Sequence, residues 1–244
     1  MALSQEKLYK AHVLNIRLLT VGLRRIEREL KSAIARRDSA SADALLKIVL
    51  LLAGGWAECR LQKLIHEPNG FSVSNQQLIA AEPSQLGWWK KALELGFRKR
   101  YNLPKAELKK ALKTTAKLRY QELLSVIDTE LRPVIEMRNK LAHGQWARPL
   151  NSSNTEISTE TIAALRNENA LTAGFKLSIL EHLAIIIHDL VAGNHAFERD
   201  FDKHFSNLED ARRNLKTRSY PKWKSSMQDK YDRGRGRRNS NLKT

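Results

Sequence analysis

Apolar residues recur three, four or five positions apart through most of this chain. Leu8, Val13, Ile16, Leu19, Leu23, Ile26, Leu30 and Ile34 form one such stripe, with arginines filling the other face. The spacing predicts a helix from about residue 4 to 37. "DSASAD" (38–43) breaks it, a second helix follows over about 41–66, and "EPNG" (67–70) ends that one. "SNQQLIAAE" (74–82) predicts a short helix and "PSQLGWWKKALELGFRKRY" (83–101) another. Asn102 and Pro104 read as the start of a long helix reaching about His143, with Gly144 as its stop and Pro133 kinking or splitting it. Residues 144–158 read as a polar loop. Helix resumes near Thr159, and "LSILEHLAIIIHDLVAG" (177–193), the most apolar segment, predicts the central core helix. The pattern fades after Phe205, and no run of alternating strands or internal repeat is visible. The expected class is therefore all-α, with a helical domain over residues 1–208 and a C-terminal tail over 209–244 that is disordered and mobile when alone.

Composition sharpens this picture in two ways. The chain has a single cysteine, Cys59, which excludes an intrachain disulfide framework and makes a reducing cytoplasm its natural setting. "MALSQEKLYKAH" lacks an apolar signal core, and the longest apolar stretch (44–56) contains Lys47 and is too short to span a bilayer, so a soluble chain with no membrane association is expected. The net charge is +17. Residues 211–244 hold 12 Lys/Arg against Asp229 and Asp232, so most of the excess sits in the tail. A segment of that kind favours polyanions, nucleic acid first and acidic lipid second.

The candidate chemistry lies in "IEMRNKLAHGQW" (135–146). Ala116, Tyr120, Leu123, Ile127, Leu131 and Val134 share one face of a helix, and Arg138 falls next on that stripe, followed by Leu141. A guanidinium left unpaired among apolar neighbours costs several kcal/mol, on the order of a buried ion's desolvation. Arg138 must therefore reach past the core edge, line a cleft that receives an anion, or pair with a carboxylate. Glu136, Glu130 and Asp128 do not share its face closely, so such a carboxylate must come from another helix. Arg138, Asn139 and His143 then match an arginine–polar–x3–histidine pattern. The bare R-x4–6-H spacing also occurs at Arg60…His66 and Arg199…His204, but only Arg138 is in phase with a long apolar stripe that ends at a glycine.

This stretch resembles the R-x4–6-H signature of HEPN domains, small all-helical domains found in many prokaryotic toxins and defence ribonucleases. The resemblance implies a HEPN-like helical bundle with additional helices. It also implies metal-independent cleavage of RNA through the 2′-hydroxyl, giving 2′,3′-cyclic phosphate and 5′-hydroxyl ends without a cofactor. Arg138 would stabilise the phosphorane, His143 would move protons, and Asn139 would orient the imidazole. Arg138 and His143 point about 140° apart on a straight helix. Either the helix loosens before Gly144, or two chains pair across this helix, and the resemblance implies the homodimer with a composite site. Some members carry a tyrosine two residues after the histidine that a partner enzyme modifies. Gln145 stands there, which puts that route of control in doubt.

Around the motif, Lys140, Trp146 and Arg148 are the expected RNA contacts, joined by Arg235, Arg237 and Arg238 of the "RGRGRR" tail. Trp88, Trp89, Phe97 and Tyr101, set among Lys90, Lys91, Arg98, Lys99 and Arg100, read as core aromatics beside a solvated face or as a stacking surface for bases. The spacings of His182, His188 and His195 do not suit a metal site, and none is expected. "AGG" (53–55) lacks a phosphate-loop pattern and suits close helix packing. An antitoxin or regulatory protein is a further expected partner, and the alternative to the ribonuclease is a non-catalytic helical module that binds RNA or protein.

Overall fold

The computed structural model describes residues 3–193 and 195–241. Helix makes up 80% of the structure and no strand occurs among the described residues, so the class is all-α. The elements are α1 (Gln5–Ala35), α2 (Ser39–Ile65), α3 (Val73–Ala80), α4 (Gln85–Arg100), α5 (Leu108–Ala111), α6 (Thr114–Val126), a π-helical segment (Ile127–Leu131), α7 (Arg132–Ala142), α8 (Thr159–Asn167), α9 (Ala170–Ala192), α10 (Ala196–Thr217) and α11 (Tyr220–Asn241). Helix starts are set by short polar caps. Ser4, Asp38, Ser72, Ser84 and Ser158 each accept a backbone N–H from the first turn, and Asn169 forms a reciprocal capping box with Thr172.

The short turn between α1 and α2, with Arg37 in the left-handed region at φ 64°, folds the two longest helices against each other. α9 is the central element. It packs on α1, α2, α4, α10 and the π segment, and its Leu177, Ile179, Leu183, Ile186 and Ile187 are buried. By length and composition alone, α2 and α9 are each long and apolar enough to cross a membrane, which is weak evidence for spanning. The apolar stretch at 44–56 is thus part of a 27-residue helix, longer than the stretch itself suggested. In this structure both helices contribute their buried residues to one hydrophobic core.

Three predicted elements differ. The long helix does not start at Asn102. Asn102 sits at φ 51°, Arg98 Nη1 donates to the carbonyls of Leu103 and Ala106, and Leu112 is extended, so α6 begins only at Thr114. Pro133 stands in the first turn of α7, and the expected split falls at the π segment that divides α6 from α7, not at the ring itself. The π segment lies just before it, and this wider turn makes room for the ring and its missing donor. Most of the described part of the segment read as a mobile tail is helical. The 208/209 boundary falls inside α10, and α11 lies along α1. Tyr220, Trp223, Met227 and Tyr231 recur at helical spacing and are half-buried. Gln228 donates to the Ile34 carbonyl at 3.2 Å, and Asp232 accepts two hydrogen bonds from Arg37. A sparse apolar stripe was hidden by the polar composition around it.

The stacked rings of His12 and His66, with centroids 5.0 Å apart, lie where α1 crosses the end of α2. Burial pushes both imidazoles below their ordinary pKa of about 6.5, and for His66 the facing His12 adds to the shift. Neutral histidines in the fold and protonated ones in the unfolded chain mean that their contribution is present above about pH 6.5 and is lost as pH falls through the lowered folded values. Melting temperature should therefore fall below pH 6.5, and His12→Gln with His66→Gln should flatten that slope in a pH series of thermal melts.

Candidate active site at the end of helix α7

α7 meets α2 at a close approach. A Cβ built on Gly54 would lie 2.3 Å from Arg138 Cβ and 3.4 Å from the Val134 carbonyl oxygen, so only glycine admits this crossing. One turn further along α2, Glu58 forms an ion pair with Arg138 Nη2. Arg138 Nη1 donates to Asn139 Oδ1 at 3.0 Å. The side chain is 25% exposed and Glu58 is 39% exposed, so the pair sits at the core edge rather than within it. A guanidinium has five N–H donors, and these two contacts leave others toward solvent.

Arg138 lines a groove of about 470 Å³ between α2, α7 and the start of α4. Pro83, Leu86, Trp88 and Ile135 form its apolar part, and Arg132, Glu136 and Asn139 its rim. Gln85 also lines it, and its Nε2 is buried with no hydrogen-bond partner. Arg132 is paired with Asp128.

The helix stays regular to Ala142. Gly144 at φ 74° then closes it, with Gly144 N–H bonding the Leu141 carbonyl and Gln145 N–H the Lys140 carbonyl, at 3.1 and 3.0 Å. The helix therefore does not loosen to swing His143 inward. His143 is exposed on a second groove, of about 530 Å³, lined by Asn139, Lys140, Gln145, Leu150, Asn151 and Asn154. Asn139 is the residue common to both grooves. Arg138 lines only the first and His143 only the second.

Several expected roles change. Among the described hydrogen bonds, Asn139 serves Arg138 through its side chain and the His143 backbone through its carbonyl, and it does not hold the imidazole ring. The Lys140 ammonium bonds the backbone carbonyls of Leu150 and Asn151, so it latches the 145–157 loop while lining the His143 groove. Gln145 completes that latch by accepting from Leu150 N–H at 2.8 Å, and Leu150 bridges Ile157. Trp146 donates to the Leu141 carbonyl at 2.9 Å and lines a separate groove with Leu46, Ile162 and Leu165. Arg148 is exposed within that loop. Arg235 and Arg237 are exposed on α11 and line neither groove, and the Arg238 side chain lies outside the described residues.

The other motif matches are used elsewhere. Arg60 is largely buried near Glu67 and Asp189, and this burial lowers its pKa. Arg199 pairs with Asp200, while Asp202 pairs with Arg119. Among the aromatics, Trp89 and Phe97 are core, and Lys91 and Arg98 pair with Glu94. Only Trp88 of that group lines the Arg138 groove. The residue that sequence reasoning missed is Glu58. Its signal was available, since it is the one acid between Asp43 and Glu67 on α2.

No family model matches the chain, and no curated protein or solved structure matches it.

Two outcomes follow from this geometry. Gly54→Ala should lower stability by about 1–3 kcal/mol in denaturant melts, because neither backbone nor the first carbons of Arg138 can retreat. A double-mutant cycle of Glu58→Gln and Arg138→Gln should give a coupling of about 0.5–1 kcal/mol, the range of a partly exposed pair; zero coupling would show that the pair adds nothing to stability.

Proposed function

We propose that the chain is a metal-independent endoribonuclease of the HEPN type, acting as a homodimer. The observation that carries the reading is the placement of Arg138 and His143 at one helix end, each open to solvent in its own groove, with Asn139 between the grooves. One chain does not line a single groove with both side chains. A second copy packed across α7 would bring an arginine and an imidazole from each chain to one scissile phosphate.

The chemistry follows from the side chains. One imidazole takes the proton of the 2′-hydroxyl as that oxygen attacks phosphorus. The bond to the 5′-oxygen breaks, and a protonated imidazole gives that oxygen its proton, leaving a 2′,3′-cyclic phosphate and a 5′-hydroxyl. Arg138 supplies planar donors to the equatorial phosphorane oxygens. Glu58 acts as a positioning residue, holding the guanidinium at the groove rim. The cytoplasm, with RNA as substrate and a toxin or defence setting under a protein inhibitor, fits this activity.

The Arg138–Glu58 pair also favours a second reading, in which the arginine only ties α7 to α2 and the chain is a non-catalytic RNA- or protein-binding module. Incubating RNA with the protein in EDTA separates the two. On the first reading the wild type cleaves RNA and leaves DNA of the same sequence intact. Arg138→Ala and His143→Ala then lose roughly 10²–10⁴ in rate while still folding. Absence of cleavage by wild type, with Arg138→Ala lowering only the melting temperature, establishes the second.

A further inference from the structure

We propose that the outer face of α1 docks on an anionic lipid surface, a property independent of the ribonuclease reading. Leu14, Leu18 and Val21 are 54%, 62% and 49% exposed, although they are large aliphatic side chains in the middle of a 31-residue helix. Arg17, Arg25 and Arg28 are exposed beside them. At 100° per residue these six side chains fall within an arc of about 100°. No acidic residue of α1 lies in that arc, Glu6 and Glu29 standing about 20° outside it, and Lys7 and Lys10, the latter paired with Glu6, extend it toward the N-terminus. Among the described residues Arg17, Arg25 and Arg28 have no ion-pair partner, whereas Arg24, just off the face, pairs with Glu27 and Glu181. From Lys7 to Arg28 the face runs about 32 Å along a helix that is held rigid by α2 on its other side.

Charge complementarity and the aliphatic row together select the occupant. A bilayer carrying acidic headgroups takes the three aliphatic side chains into its interface and the arginines against its phosphates. An RNA backbone would satisfy the arginines but leave Leu14, Leu18 and Val21 without a partner. A second copy across a twofold axis would set one row of arginines against an identical row. Such docking departs from the sequence expectation of no membrane association, and the surface concerned is α1 rather than the basic C-terminal segment.

The test is co-sedimentation of the full chain with vesicles at about 0.1 M salt, using phosphatidylcholine alone and phosphatidylcholine with about 30 mol% phosphatidylglycerol. The wild type should sediment only with the anionic vesicles. The triple variant Leu14→Gln/Leu18→Gln/Val21→Gln and the triple variant Arg17→Gln/Arg25→Gln/Arg28→Gln should each weaken partitioning roughly tenfold or more. A control with Lys222→Gln/Lys224→Gln/Lys230→Gln on α11 should bind as the wild type does. Circular dichroism melts confirm folding, and if a triple variant fails to fold, Leu18→Gln alone decides. The proposal is overturned by absence of binding to anionic vesicles, by binding indifferent to the aliphatic substitutions, or by a wild-type dimer that the aliphatic variant dissociates.

Discussion

The crossing of α2 and α7 at Gly54 is the constraint on which the candidate site depends. Because position 54 has no side chain, the α7 backbone reaches α2 and the first carbons of Arg138 lie in the gap. The rest of that side chain must then run along α2, and Glu58, one turn on, meets its guanidinium. A larger residue at 54 would push α7 away and carry Arg138, Asn139 and His143 with it. The glycine, the acid and the arginine thus form one unit made from two distant parts of the chain.

The end of α7 is held just as firmly. The π segment before Pro133 sets the helix phase, and Gly144 in the left-handed region ends the helix one residue after His143. Lys140 and Gln145 then tie the following loop back to the helix end through backbone groups. Near the site, most cations are therefore neutralised or engaged: Arg138 by Glu58, Arg132 by Asp128, Lys140 by carbonyls. The arginines without ion-pair partners on the outer face of α1 stand apart from these grooves, since none of them lines either one. Substrate chemistry and surface attraction are thus assigned to different parts of the molecule.

Helix periodicity is a local property, and this made much of the structure legible in advance. The ends of α1, α2 and α4 and the C-terminal end of α9 follow from apolar spacing, short polar caps and the "EPNG" stop, whereas the Asn169 cap that starts α9 at Ala170, seven residues before the expected 177, was not read. Gly144 as the end of α7 and the close-packing role of "AGG" follow from what glycine alone permits. The start of α6 was not legible, because Arg98 holds three carbonyls of residues 103–106 in a turn that no short-range pattern marks. α11 was missed because its four aromatic and thioether residues are too few to form a helix face until α1 offers a surface to receive them.

The sequence by itself determined that the chain is helical and that Arg138 lies at the edge of an apolar stripe and needs a partner from another helix. Tertiary structure alone decided which partner. Glu58 lies 80 positions away in sequence, and only the angle and closeness of two packed helices bring it to the guanidinium. The same holds for Trp146, seven residues past Asn139 at the start of the polar loop yet turned into another groove by its bond to the Leu141 carbonyl. Spacing along a helix fixes direction around one axis, whereas the contents of a groove depend on where several axes cross.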